Sequence, residues 1–168
     1  DEAYAIYVED GDGIVVANNV IKLDSIYAIY TKDVDRLTVA NNIIGATTLS
    51  YGIYVTNAVR TTRGITVSGN VINSALNGVG LEADTGKNIQ MACIVGNSIS
   101  VTGDGAVAVS LIGATVGTVN GNLLLATGTT ITNTTGLDLD SNCTHICVAG
   151  NTFGYFTTAD IADAGTHN

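Results

Sequence analysis

Two carboxylates, Asp138 and Asp140, stand at i and i+2 around the alternating stretch Gly136-Leu137-Asp138-Leu139. On a strand both point outward, about 6–7 Å apart. Glycosidase carboxyl pairs span about 5–5.5 Å in retaining enzymes and about 6.5–9.5 Å in inverting ones. The spacing permits sugar hydrolysis, although a solvated pair on an exterior face is the plainer account. A second acidic set is Asp10, Asp12, Asp33 and Asp35. The first two repeats align without a gap, which lays Asp10 over Asp33 and Asp12 over Asp35. Like charges one rung apart repel, and a hard cation such as Ca²⁺ would relieve them. Lys32 and Arg36 compensate as well, so solvated turn aspartates are the simpler reading and no other cofactor is expected.

Aromatic chemistry is concentrated in the first half. Six of the seven tyrosines fall in two columns, Tyr4, Tyr27, Tyr51 and Tyr7, Tyr30, Tyr54. The first column reads as a self-packing ladder that shields a sheet. The second should stand outward, because Ile6, Ile29 and Ile53 face in. It is either another such ladder or a platform for sugar rings or a neighbouring subunit, since exposed aromatic patches mark binding surfaces. His145 lies between Cys143 and Cys147 without a fourth ligand at zinc spacing.

The elements that must position these residues come from a repeat. A small or polar residue, Asn, then two mostly apolar residues recur six times, as in Asn41-Asn42-Ile43-Ile44 and Gly96-Asn97-Ser98-Ile99. The second-position asparagines are Asn19, Asn42, Asn70, Asn97, Asn122 and Asn151, spaced by 23, 28, 27, 25 and 29 residues. Repeats of this length stack neighbouring units on one core. Short alternating strands flank each Asn, with Ile21, Ile44, Ile72, Ile99, Leu124 and Phe153 inward after it. An earlier strand family includes Ala5-Ile6-Tyr7-Val8, Gly52-Ile53-Tyr54-Val55 and Ala106-Val107-Ala108-Val109, its second and fourth residues inward. The residue before each Asn is Asn or Gly, types that accept positive φ, so the chain bends there. An Asn at each bend can bond the Asn of the next rung through its amide donors and acceptor. No stretch carries a helical period over ten or more residues.

Composition narrows the partners. The 168 residues are 46% hydrophobic with no Pro, and formal net charge is −9. No Lys or Arg follows Lys87, which argues against nucleic acid as a partner. No apolar run is long enough for a membrane helix. Cys93, Cys143 and Cys147 are an odd set. Cys93 and Cys147 share a column two rungs apart, about 9.6 Å and beyond disulfide reach. Three free thiols fit folding in a reducing cytoplasm.

At these residues the chain resembles the right-handed parallel β-helix proteins of the pectin-lyase-like superfamily, with repeats of the form G-I-x-V … I-x-V-x-G-N-x-I. The resemblance covers roughly residues 3–156. It implies an all-β, right-handed, single-stranded parallel β-helix of six to seven coils over residues 1–156, with 157–168 a polar stretch that can open a further coil. Such helices serve as polysaccharide lyases and hydrolases and as phage tailspikes or tail fibres. The Asn-Thr-Asp, Asp-Asp, His-Gly and Arg-Ile-Lys motifs of polygalacturonase-like enzymes are missing here. The resemblance therefore points first to a structural, carbohydrate-recognising shaft like part of a tailspike. That shaft would be virion-borne or extracellular, with a polysaccharide or glycan as ligand, and either a homotrimer or continued by flanking coils of a longer protein. An extracellular lyase or hydrolase is the alternative, and an adhesin-like repeat the third reading.

Overall fold

The computed structural model describes residues 4–22, 26–45, 51–74, 76–128 and 131–165. The chain is all-β: among these residues there is no helix, and therefore none long and apolar enough to cross a membrane. Parallel strands wind into a β-solenoid of about six turns. Each turn supplies one strand to each of three sheets.

The first sheet holds seven strands, Tyr4–Glu9, Tyr27–Lys32, Tyr51–Asn57, Asn77–Ala83, Val107–Ile112, Thr135–Leu139 and Ala159–Asp163. The second sheet is Val15–Ala17, Thr38–Ala40, Thr62–Ser68, Ile89–Val95, Ala114–Asn120 and Thr144–Ala149. The third is Val20–Lys22, Ile43–Gly45, Val71–Ser74, Ser98–Val101, Leu123–Ala126 and Thr152–Gly154. Every pairing between neighbouring coils is parallel, as in Ile44 against Ile72 and Ile94 against Val119. Leu37, Ile65, Ile94, Ile99 and Leu111 are among the fully buried side chains of the single core inside the coil. Apolar burial of this kind supplies most of the favourable free energy of folding.

The asparagine bend forms as the residue types require. Asn18, Asn41, Gly69, Gly96, Gly121 and Gly150 all have φ between 55° and 65°. This left-handed region is open to Gly and tolerated by Asn. The following asparagines turn inward and form a continuous ladder. Asn70 Nδ2 donates to Asn97 Oδ1 at 3.0 Å, and Asn70 N donates to the same oxygen at 3.0 Å. Asn97 repeats both bonds to Asn122 Oδ1 at 2.9 Å, and its second amide hydrogen meets Val67 O at 2.9 Å. Each central amide therefore uses both donors and both lone pairs. That is why Asn42, Asn70, Asn97 and Asn122 can be buried at no cost in unpaired groups.

Two details of the first sheet differ from simple alternation. In Tyr27–Lys32, Ala28 and Ile29 are both buried, and in Tyr51–Asn57, Gly52 and Ile53 are. A small and an aliphatic residue turn inward in succession, in step on neighbouring coils. The small residue is needed because the third sheet lies directly behind it. A Cβ at Gly78 would stand 2.2 Å from Ile99 Cγ2 and 2.5 Å from Ala108 O. The second difference is the register of coil five. Val107 pairs with Asn77 and Thr135, and it is Val109 and Leu111 that continue the inner columns of Val79 and Leu81. Ala106-Val107-Ala108-Val109 alternates equally well at either offset, so local pattern alone misplaces it by one inward position.

Candidate functional site

Because two residues turn inward between them, Tyr27 and Tyr30 share the outer face of the first sheet, as do Tyr51 and Tyr54. The two tyrosine columns are therefore one cluster. Six rings from three coils stack with centroids 4.5–5.7 Å apart. Most pairs are near parallel, which suits offset stacking. Tyr7 is exposed at 45%, while Tyr30 and Tyr54 are half-buried by their neighbours. All three stand on the outer face, and all six rings pack as one self-supporting ladder.

Carboxylates hold both ends of the stack. Tyr7 Oη donates to Glu9 Oε2 at 2.6 Å, and Lys32 Nζ donates to Glu9 Oε1 at 2.7 Å. The Glu9 bond is the main reason the Tyr7 hydroxyl is pushed up to about 12. Lys32, then Tyr7, hold the Glu9 carboxyl below its usual range. At the other end, Tyr51 Oη donates to Glu82 Oε1 at 2.7 Å and Tyr54 Oη to Glu82 Oε2 at 3.2 Å. Burial, reinforced by Glu82, raises both phenols, so they stay neutral donors at physiological pH.

Gly80 ends the column. Its position continues Tyr30 and Tyr54 on the next rung, and a Cβ there would lie 2.6 Å from Tyr51 Cε1. The rings lean over this gap, and a groove of about 350 Å³ opens beside them, lined among others by Tyr30, Tyr54, Lys32, Thr56, Glu82 and Asp84. Flat aromatic faces with a cation and carboxylates alongside can stack a ring and hydrogen-bond its substituents. Glu82 was not among the sequence candidates. Its signal was its column, which already held Glu9 and Lys32, and the glycine that interrupts the tyrosines two residues earlier.

Asp138 lies in the same outer column of the first sheet as Ser110 and Gly80. Burial, then the charge of Asp140, pushes its carboxyl up. Burial also acts on Asp140, but the Gly113 N–H at 2.9 Å, the Cys143 thiol and Asn142 outweigh it and hold this carboxyl low. Asp140 is thereby tied to the turn that follows its strand. Burial lifts the Cys143 thiol to about 11.

The stacked aspartates have protein partners. Asp12 pairs with Asp35 across the coils and forms an ion pair with Arg36. Asp35 Oδ1 accepts the Arg63 N–H at 2.8 Å. Asp33 is buried, and its Oδ1 accepts the N–H groups of Ala58 and Val59 at 3.0 Å and Arg60 at 3.4 Å. Those bonds outweigh burial and lower its carboxyl. Asp10 stands one rung from Asp33, in left-handed backbone like it, at φ 54° against 53°. Among the described residues, no three His, Cys, Asp or Glu side chains converge on a point where a metal ion would bind. Cys93 pairs with Thr118 and Thr118 with Cys147, so the two thiols are two rungs apart and all three cysteines are free.

One further column emerges where the chain enters the second sheet, just before or just inside the start of its strands. Gly13, Arg36, Gly64, Met91, Val116 and His145 all have φ between 49° and 70°. Each stands at the same offset before its ladder asparagine. Glycine is at home there, whereas a β-branched valine is not. No family model, no curated protein and no solved structure matches the chain, so its own geometry carries the functional reading.

Proposed function

We infer that the chain is a structural, carbohydrate-recognising shaft, similar to a segment of a phage tailspike or tail fibre, and that the tyrosine face with its groove is the glycan site. The observation that carries this reading is the six-ring stack. The hydroxyls of Tyr7, Tyr51 and Tyr54 are fixed by Glu9 and Glu82, so both ends of the platform are held before any ligand arrives, and preorganisation lowers the cost of binding. A ring laid on Tyr54, at the Gly80 end of the column, would lie beside Lys32, Glu82 and Asp84, which line the same groove. A virion-borne or extracellular role, as a homotrimer or with flanking coils, belongs to the same reading.

The test is direct because the chain has no Trp and six of its seven tyrosines are in the stack. Titration with a panel of bacterial surface polysaccharides should change tyrosine emission, and Tyr30→Ala and Tyr54→Ala should abolish the change. A panel without a single binder by calorimetry would sink the proposal.

The rival enzymatic reading draws on the carboxyl pair. Asp138 is pushed up and Asp140 held low, and such a divergence is what a general acid and its ionised partner need. Release of reducing ends or unsaturated sugars from the same panel, lost in Asp138→Asn, would favour it.

A further inference from the structure

The charges of this chain are distributed unevenly around the coil. Each turn contributes an eight-residue stretch that begins five residues before its ladder asparagine and ends two residues after it, for example residues 14–21, 65–72 and 117–124. None of the six stretches contains a charged residue. All 15 acidic and 6 basic residues lie elsewhere. Together the stretches form the wall that wraps the asparagine bend.

The wall is partly apolar where it faces out. On the third sheet the outer column is Val20, Ile43, Val71, Ser98, Leu123 and Thr152, in register from coil to coil. Val20 is 79% exposed, and Ile43, Val71 and Leu123 are exposed as well. On the second sheet the outer column is Val15, Thr38, Thr66, Cys93, Thr118 and Cys147. These side chains do nothing for the solenoid's own core. A monomer with a free choice of residue would place Lys or Glu there, as soluble sheets do on their open faces.

A second, separate observation points the same way. At the rim of the wall, Met91 and Val116 are exposed although their backbone is left-handed, at φ 58° and 63°. Glycine serves at the same position in two other coils. The winding of the coil imposes left-handed backbone on this column, on Arg36 and His145 as well, but it does not require the apolar side chains that Met91 and Val116 carry into solvent there.

We propose that a second copy of this chain packs side by side on the uncharged wall. A chain of net charge −9 repels its own copy overall, and the wall brings no charged residue of its own into a contact between copies. The size is sufficient. Six rungs of about 4.8 Å and eight residues of about 3.3 Å give roughly 750 Å² along the bend, against about 800 Å² per partner in a standard stable interface. This packing deepens the homotrimer part of the proposed function by naming its surface, and because the wall lies on the second and third sheets and the tyrosine face on the first, its failure would leave the glycan site untouched.

The test is sedimentation velocity under reductant, from low micromolar to about 100 μM, where an interface of this size is populated. Wild-type chain should associate. Ile43→Glu and Val71→Glu, both at exposed outer positions, should weaken association at least tenfold while leaving circular dichroism and the unfolding midpoint unchanged. Alkylation adds an independent readout: Cys147, on the wall, should become protected as concentration rises, with buried Cys143 as the internal reference. A wild-type chain that stays monomeric throughout overturns the proposal. So does association that survives both glutamates, or a Cys147 whose reactivity ignores concentration.

Discussion

The solenoid turns two of its corners by opposite means. At the asparagine bend every coil uses the same short path, a left-handed Asn or Gly followed by an inward-turned Asn, and the amides bond from rung to rung. At the corner between the first and second sheets the path varies. The chain passes from Lys32 to Arg36 in one coil and from Glu82 to Met91 in another. This corner is held by carboxylates such as Asp33 and Asp140, and its left-handed position is occupied by whatever residue comes, including Met and Val. One bend is uniform, neutral and relaxed, and it sets the register. The other absorbs length differences and carries both strain and titratable charge.

The sharpest way to break this contrast is to cut the ladder in the middle. Asn97→Ala removes the acceptor of Asn70 N–H and of one Asn70 Nδ2 hydrogen, and the side-chain donor to Val67 O, while Asn70 Nδ2 keeps its bond to Val39 O. Unpaired buried groups of this kind cost about 1–3 kcal/mol each before relaxation, so a loss of about 3 kcal/mol is expected. Asn19 is only half-buried and water can replace its bonds, so Asn19→Ala should cost about 1 kcal/mol or less. Denaturant unfolding of the two variants measures the difference, and equal losses would remove the ladder as the organising element.

Backbone strain comes next. Gly96 has φ 65° and no atom within 4 Å of where its Cβ would stand. Gly96→Val therefore isolates the conformational cost of a β-branched residue in left-handed backbone, about 1–2 kcal/mol. If Gly96→Val is neutral, Val116 is not strained either.

Much of this architecture was legible in the sequence, for physical reasons that can be stated. The asparagine bend announces itself because both of its residues are types chosen for conformation and amide bonding. The inner columns followed by alternation, and the ladder fixed the register of Asp12 on Asp35 and of Cys93 two rungs from Cys147. The corner before the second sheet could not be read in the same way. Nothing about Arg36, Met91, Val116 or His145 signals positive φ, because tertiary winding imposes it. The merging of the two tyrosine columns was hidden for a related reason. It needs two successive inward residues, which a strict period of two does not contain. Glu82 went unnoticed because its role appears only once Gly80 lets the rings lean across.

Acid should separate the two bends without any mutation. Asp33 and Asp140 have folded-state values below the ordinary carboxylate range. Their contribution is fully present above the unfolded value, about pH 4, and is lost as pH falls through the lower folded values. The amide ladder does not titrate. Unfolding midpoints should therefore drop below about pH 4, and Asp33→Asn should flatten part of that slope. Asp138, raised by burial, has the opposite sign and partly offsets the loss, so the comparison of Asp33→Asn with wild type is the informative one. An unchanged slope would mean that the corner is not held by this carboxylate.

The smallest effect has the reverse sign and discriminates most finely. Val116→Gly relieves about 1–2 kcal/mol of left-handed strain and gives back about 0.5–1 kcal/mol through the greater freedom of glycine in the unfolded chain. A dilute, monomeric sample should therefore become more stable by about 0.5–1 kcal/mol, the net of those two terms. Asn97 and its ladder are untouched by the change, so any gain belongs to the strained corner alone. At concentrations where copies pack on the wall, the same substitution removes an exposed apolar side chain from its rim, and association should weaken. A variant that is more stable alone and less associated in company would show what the valine contributes where glycine fits better. A Val116→Gly chain that loses stability when dilute would instead mean that the valine packs usefully within its own coil, and the contrast between the two bends would narrow to the ladder.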